Sequence, residues 1–228
     1  MDAYTKKALD AVTRDGLALK RIRKQTEEIC IAAVKQNVLA FEYVKNQTRE
    51  ICLTAVRSGN YWALPYVKEQ TEEICLEAVR HRGYAIAHVK DQTEEMSLIA
   101  VKEYGYNINH VKNPSDAVII EAVVNEPKVL NEPRVLKEGY VKTEALRLEI
   151  VKRNGSALRY IEEQTEQICI EAVKQNGLAL KYVKEQTKEI CLEAVKAKWL
   201  AIKYVENQTD AIREEALKKS KNASKYFK

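Results

Sequence analysis

Long apolar runs are missing from these 228 residues, and so are most residues that break chains or hold cofactors. No segment approaches the roughly 20 apolar residues in a row that a membrane-spanning helix needs. No apolar stretch follows a basic amino terminus, as in a secretory signal. Seven Gly and four Pro exclude a collagen-like or low-complexity disordered chain. A Gly-rich phosphate loop, an HExxH pair and a CxxC pair are all absent, and no local Ser/His/Asp set stands out. The expectation is a cytoplasmic protein that is no enzyme and holds neither cofactor nor metal. Net charge is only +5, which permits an anionic partner without requiring one.

What is present is repetition. Gln164–Glu185 reads QTEQICIEAVKQNGLALKYVKE, and the stretch directly after it, Gln186–Asn207, reads QTKEICLEAVKAKWLAIKYVEN. Counting from the Gln-Thr landmark, ten units start at Ala3, Gln25, Gln47, Gln70, Gln92, Pro114, Lys142, Gln164, Gln186 and Gln208. Most steps have one common length of about 22 residues, the mark of a stacked repeat array. The step that holds Trp62 carries a single extra residue, and the step from Pro114 to Lys142 is longer by a whole inserted segment.

Inside a unit the spacing is helical. Ile168, Cys169, Ala172 and Val173 share one face. Thr165 stands where an N-cap belongs, acids follow it, and Lys174 lies near the far end. Asn-Gln-Thr at Asn46 and Asn207 is accordingly read as capping chemistry. Gly177 is expected to be the C-cap. A shorter apolar set, Leu178 to Val183, then forms a second helix of about two turns. Neither helix hides its apolar face alone, so units must stack. The fold expected is all-α, an α-solenoid of about ten 22-residue helix-turn-helix repeats with a central irregularity. A continuous helix of 11-residue periods is the rival, and Gly in mid-repeat speaks against it. The parts are residues 1–113 (five units), 114–141 (irregular) and 142–228 (four units, the last a polar cap with Tyr226 and Phe227 in core positions).

The run EAVKQNGLALKYVKEQTKEICLEAVK resembles a family of short tandem helical repeats known only as a domain of unknown function. That family is common in giant viruses, with similar repeats in phages and some intracellular bacteria. The resemblance implies a viral or host-interacting origin, so that the cytoplasm is that of the producing or infected cell, and a binding rather than catalytic habit.

All five Cys (Cys30, Cys52, Cys75, Cys169 and Cys191) hold one repeat position. Equivalent positions in stacked units lie about 9–10 Å apart, too far for a disulfide, which needs Cα atoms within about 7 Å, or for a shared zinc. They read as buried wall residues. A second ladder runs Tyr43, Tyr66, His88, His110, Tyr140, Tyr160, Tyr182, Tyr204 and Tyr226, each ring expected to be buried between units with its polar end near the surface. His81 reads as an exposed loop residue. Glu77–Arg80, Glu171–Lys174 and Glu193–Lys196 read as i, i+3 pairs, and the cations ending successive first helices as a solvated face.

The irregular segment is a six-residue duplication, Asn125–Leu136, in which Pro127 and Pro133 each begin a new turn. A bend there would flank a pocket with Tyr104, Tyr106, His110, Lys128 and Arg134; His88 and Trp62 are the other places where the repeat rule fails. The leading reading is an interaction protein that binds a partner protein through a concave face of short helices. The alternative is a sponge-like protein that sequesters a small anionic or nucleotide ligand at the bend. Nucleic acid ranks below both, and a membrane surface last.

Overall fold

A Thr or Ser starts almost every long helix, and the physical reason is visible in the bonds it makes. In eight repeats its hydroxyl oxygen accepts the backbone N–H three residues on, as Thr165 does from Ile168 and Ser115 from Val118. This satisfies one of the amides that a helix leaves unpaired at its start. Helices of nine to twelve residues follow, such as Glu27–Gln36, Glu72–His81, Glu166–Gln175 and Lys188–Ala197. These elements come from a computed structural model that describes residues 2–58, 61–132, 135 and 139–228.

The second element of each repeat is a short 3₁₀ helix, and the junction before it differs from the expectation. Gly177 is not a left-handed C-cap. The cap is Asn176, in extended conformation (φ −143°), whose N–H bonds to Ala172 O while its side chain accepts from Leu178 N. One residue thus closes the α-helix and opens the 3₁₀ helix Gly177–Tyr182. Glycine follows because of space. A Cβ at Gly177 would stand 2.5 Å from the carbonyl oxygen of Ala194, and one at Gly16 equally close to that of Ala33, each in the next repeat. Among the described residues Gly139 (φ 58°) is the glycine with positive φ.

The core repeats as regularly as the sequence. Ile168, Cys169, Ala172 and Val173 are buried from the long helix, and Ala179, Leu180 and Val183 from the short segment. Long helix packs on long helix and 3₁₀ helix on 3₁₀ helix, neighbour to neighbour. The described residues form helices and no strand, in about ten successive helix-plus-3₁₀ units: an all-α solenoid of tandem repeats. The chain divides into two compact units, residues 1–114 and 115–228. In the first, the 3₁₀ helices are Gly16–Arg21, Val38–Tyr43, Tyr61–Tyr66, Gly83–His88 and Gly105–His110; in the second, Pro127–Asn131, Gly155–Tyr160, Gly177–Tyr182, Trp199–Tyr204 and Lys221–Tyr226. Pro127 starts its 3₁₀ helix, where a missing N–H costs nothing. Pro133, in the second copy of the duplication, lies outside the described residues.

The landmark glutamine is a staple between neighbouring repeats. It follows one 3₁₀ helix and bonds the end of the next. Gln186 Nε2 donates to Tyr204 O at 3.0 Å, and its Oε1 accepts from Glu206 N at 3.1 Å. Gln25, Gln70, Gln92, Gln164 and Gln208 do the same at the end of the 3₁₀ helix that follows each. The loop lysine answers in reverse: Lys184 Nζ donates to Glu162 O at 2.7 Å, and Lys112 Nζ to Lys90 O at 2.8 Å. Sequence periodicity shows that Gln recurs. It does not show that its partners lie just short of the next Gln-Thr landmark.

The thiols belong to this device. The Sγ atoms of Cys30, Cys75, Cys169 and Cys191 point at the Oε1 of their own repeat's Gln, at 3.4–3.8 Å. All five Cys are free and buried. Burial pushes their thiols up, to about 11 for Cys75, Cys169 and Cys191. A folded-state pKa above the unfolded value of about 8.5 means stability that is complete below that pH and lost as pH rises. The urea midpoint is therefore expected to be flat to about pH 8 and to fall between about pH 9 and 11. Cys169→Ala should flatten part of that fall, and Ellman's reagent at pH 8 should react with the thiols only after unfolding. A midpoint as high at pH 10.5 as at pH 7 would contradict the assignment.

Candidate functional site

The faces of the 3₁₀ helices differ along the chain, and the difference lies in charge. In four of the second unit's five segments the fifth residue is cationic, Arg159, Lys181, Lys203 and Lys225, and the other, Pro127–Asn131, carries Lys128. Lys181 and Lys203 sit 4.7 Å over the rings of Tyr182 and Tyr204, and Arg159 lies 5.5 Å from Tyr160 and 5.8 Å from Tyr182. In the first unit the sequences YWALPY, GYAIAH and GYNINH carry no Lys, Arg, Asp or Glu across three consecutive segments. Their fifth residues are Pro65, Ala87 and Asn109, and their second are Trp62, Tyr84 and Tyr106.

The rings there are open to solvent. Trp62 is 55%, Tyr84 43% and Tyr104 56% exposed, with Tyr66 and Leu39 also exposed. Tyr104 stands at the junction position that Asn37, Asn154 and Asn176 use for capping. The cap is forgone and a ring is presented instead. Replacing a cap in this way costs about 1 kcal/mol, and such local breaches are expected where function competes with stability. Nearby, the buried Asn107 takes the slot of Ala85 and Ala157, its Nδ2 donating to Ala100 O at 2.8 Å.

Tyr104, Tyr106 and His110 line one groove of about 490 Å³ together with Tyr84, Arg82 and Glu103. The Tyr84 ring stands edge-on to His110 at 4.8 Å and to His88 at 6.1 Å. Tyr104 and Tyr106 are 5.1 Å apart. Trp62 borders a separate notch with Leu39, Phe41 and Tyr66. Lys128 is exposed on Pro127–Asn131 in the second unit. Arg134 lies outside the described residues. Tyr84 and Leu39 were not singled out by sequence reasoning, and Tyr66 was named only as a ladder residue expected to be buried; the signal for Tyr84 and Tyr66 was three successive short segments without charge.

Several other expectations change. The tyrosine ladder is not buried: Tyr43, Tyr160, Tyr182 and Tyr204 are half-buried, and Tyr66 and Tyr226 exposed, because the 3₁₀ twist turns the sixth residue toward solvent and leaves the core to Ala, Leu or Ile and the following Val. In the short segment of the last repeat the buried residue is Ala223; Phe227 is half-buried under Arg213. His81 ends the helix Glu72–His81 and sits 3.6 Å from Glu77, one turn back. Glu77 does not pair with Arg80. It takes Arg57 of the preceding repeat at 2.9 Å, and Arg80 reaches forward to Glu95 at 3.1 Å. Lys174–Glu171 and Lys196–Glu193 are as expected.

Among the described residues, no group of three or more His, Cys, Asp or Glu is placed to hold a metal ion, and no helix is long and apolar enough to cross a membrane. The architecture defines the class: an α-helical tandem-repeat protein. Within that class, residues 146–186 and 165–209 match a family described as "Domain of unknown function (DUF4116)", to which these repeats are similar. No curated protein and no solved structure matches the chain.

Proposed function

We propose that this chain is a non-catalytic interaction protein that docks an uncharged, apolar-anchored segment of a partner protein. The docking face is the row of 3₁₀ helices Tyr61–Tyr66, Gly83–His88 and Gly105–His110. One observation carries the reading: three consecutive short segments give up the charge that the second unit keeps, and present exposed aromatic rings instead. Two of them, after Arg82 and Tyr104, lack a side-chain cap at the junction, as do Pro127–Asn131 and Trp199–Tyr204 in the second unit. Exposed apolar patches mark interaction sites, and Trp and Tyr dominate binding energy where they are buried by a partner. A nucleic-acid backbone would need a row of cations along the same face; these segments carry no Lys or Arg, and the groove beside them is lined by Arg82 together with the acid Glu103. The resemblance to repeats common in giant viruses supports a cytoplasmic, host-directed partner.

The test compares three immobilised full-length proteins in extract from cells in which the chain is made. They are the wild type, the variant Trp62→Ser/Tyr84→Ser/Tyr104→Ser, and the control Lys181→Ser/Lys203→Ser. The expected result is a protein that wild type and control retain through 0.5 M salt and that the aromatic variant loses by about tenfold or more, as removal of one or two hot spots would give. Retention unchanged in the aromatic variant, or lost in the lysine variant alone, would overturn the reading.

A further inference from the structure

The repeat that starts at Lys142 breaks the staple rule in both of its parts. Lys142 stands where Gln belongs, and Arg147 fills the slot that is Cys in five other repeats. Arg147 is turned inward, its side chain only 13% exposed. Both of its polar contacts use Nη2: one to Lys142 O at 3.2 Å, one to the Glu163 carboxylate at 2.6 Å. The Glu163 side chain is 76% exposed, so the partly buried cation is answered by an acid that stays largely in water. Arg213, in the same slot of the last repeat, is different. It lies against Phe227, donates to Lys228 O at 2.7 Å and lines no cavity described here.

Arg147 lines a half-open cavity of about 200 Å³ that has an apolar side, Leu130, Val135, Val141 and Ile161, with Tyr160 and Gly139, and an acidic edge, Glu162 and Glu163. A cation withdrawn from water into apolar surroundings is unfavourable unless an anion with good geometry meets it. The guanidinium fork suits a carboxylate that takes two parallel bonds, and Glu163 engages one nitrogen. We propose that this cavity binds a small amphipathic carboxylate. Its apolar body sits among Leu130, Val135, Val141 and Ile161, and its carboxylate displaces Glu163 from Arg147. The volume suits a six-carbon body, since apolar cavities of about 150 Å³ take up benzene. The site is separate from the docking face of the first unit, so either reading stands or falls alone.

Calorimetry and methyl NMR of the full chain, with benzoate, hexanoate, acetate and benzyl alcohol as probes, test the proposal. Benzoate or hexanoate should bind at least tenfold more tightly than acetate or benzyl alcohol, with shifts centred on Val141 and Ile161. Glu163→Gln should strengthen binding several-fold by removing the competing carboxylate; a merely structural ion pair predicts no such gain. Arg147→Met should weaken binding tenfold or more. If that variant fails to fold, Lys142→Gln/Arg147→Cys restores the pair used elsewhere in the chain and should fold without binding. No binding by wild type and Glu163→Gln at 10 mM probe, or binding that survives the loss of Arg147, would overturn the assignment.

Discussion

Val173→Asp is expected to abolish cooperative folding of the repeats around it. Val173 is fully buried in the helix Glu166–Gln175, which packs against Glu144–Arg153 on one side and Lys188–Ala197 on the other. The substitution forfeits about 1.5–3 kcal/mol of apolar burial and sets a carboxylate in the core without a cation. Together these cost roughly 4–5 kcal/mol or more, set against a typical domain stability of about 5–15 kcal/mol. The new carboxyl would titrate above the ordinary range because only its neutral form tolerates burial. Its folded-state pKa is then raised, so the deficit is smallest below about pH 4 and grows as pH rises. Urea unfolding at pH 4 and pH 7 checks both size and sign. An unchanged midpoint at pH 7 would show that the repeats do not share a core at this position.

Gln186→Ala is the second large effect. The amide bonds Tyr204 O and Glu206 N at the end of the following 3₁₀ helix and receives the Cys191 thiol. Removing it leaves a part-buried carbonyl, an N–H and a thiol without these partners, at about 1–3 kcal/mol for each group that water does not reach. A total loss of about 2–4 kcal/mol is expected from urea titration. Gln186→Glu separates the donor from the acceptor. Its carboxylate still accepts from Glu206 N but faces the Tyr204 carbonyl with no hydrogen to give, so it should be no more stable than Gln186→Ala at pH 7. Full stability in either variant would mean that the interface is held by apolar packing alone.

The parts legible in the sequence are those governed by local periodicity. Thr165 and its equivalents, the Ile-Cys-Ala-Val face and the break before the second helix all follow from residues within one turn or two of each other. What was not legible depends on the neighbouring repeat. The reason for Gly177 lies in the Ala194 carbonyl of the next repeat, which no turn propensity encodes, and Asn176 does the capping that Gly was expected to do. The Gln and Lys staples are hidden for the same reason. Arg57 finds Glu77 across the repeat boundary instead of leaving that acid to Arg80. Spacing places a residue on a face, yet does not say how deep it sits, which is why the tyrosine ladder read as buried.

The candidate surface was legible in part, because Trp62, His88, Tyr104, Tyr106 and His110 depart from the repeat consensus visibly. Tyr84 escaped attention because an apolar second residue is ordinary in this chain: Leu17, Leu39 and Leu178 precede or follow it in the same slot. Its meaning comes from exposure together with the loss of charge at Ala87 and Asn109. Arg147 escaped because a cation in a helix is unremarkable until the slot it fills is seen to point inward.

Photo-crosslinking from the docking face tests the central claim most directly. A benzophenone amino acid is placed at Tyr84 in one protein and at Leu178, the equivalent position in the second unit, in another. Both are irradiated in extract from cells in which the chain is made. The account predicts a discrete adduct to one partner protein from position 84, absent from position 178 and suppressed by Trp62→Ser/Tyr104→Ser. Adducts of equal yield from both positions, or none from position 84 while position 178 labels a protein, would contradict it.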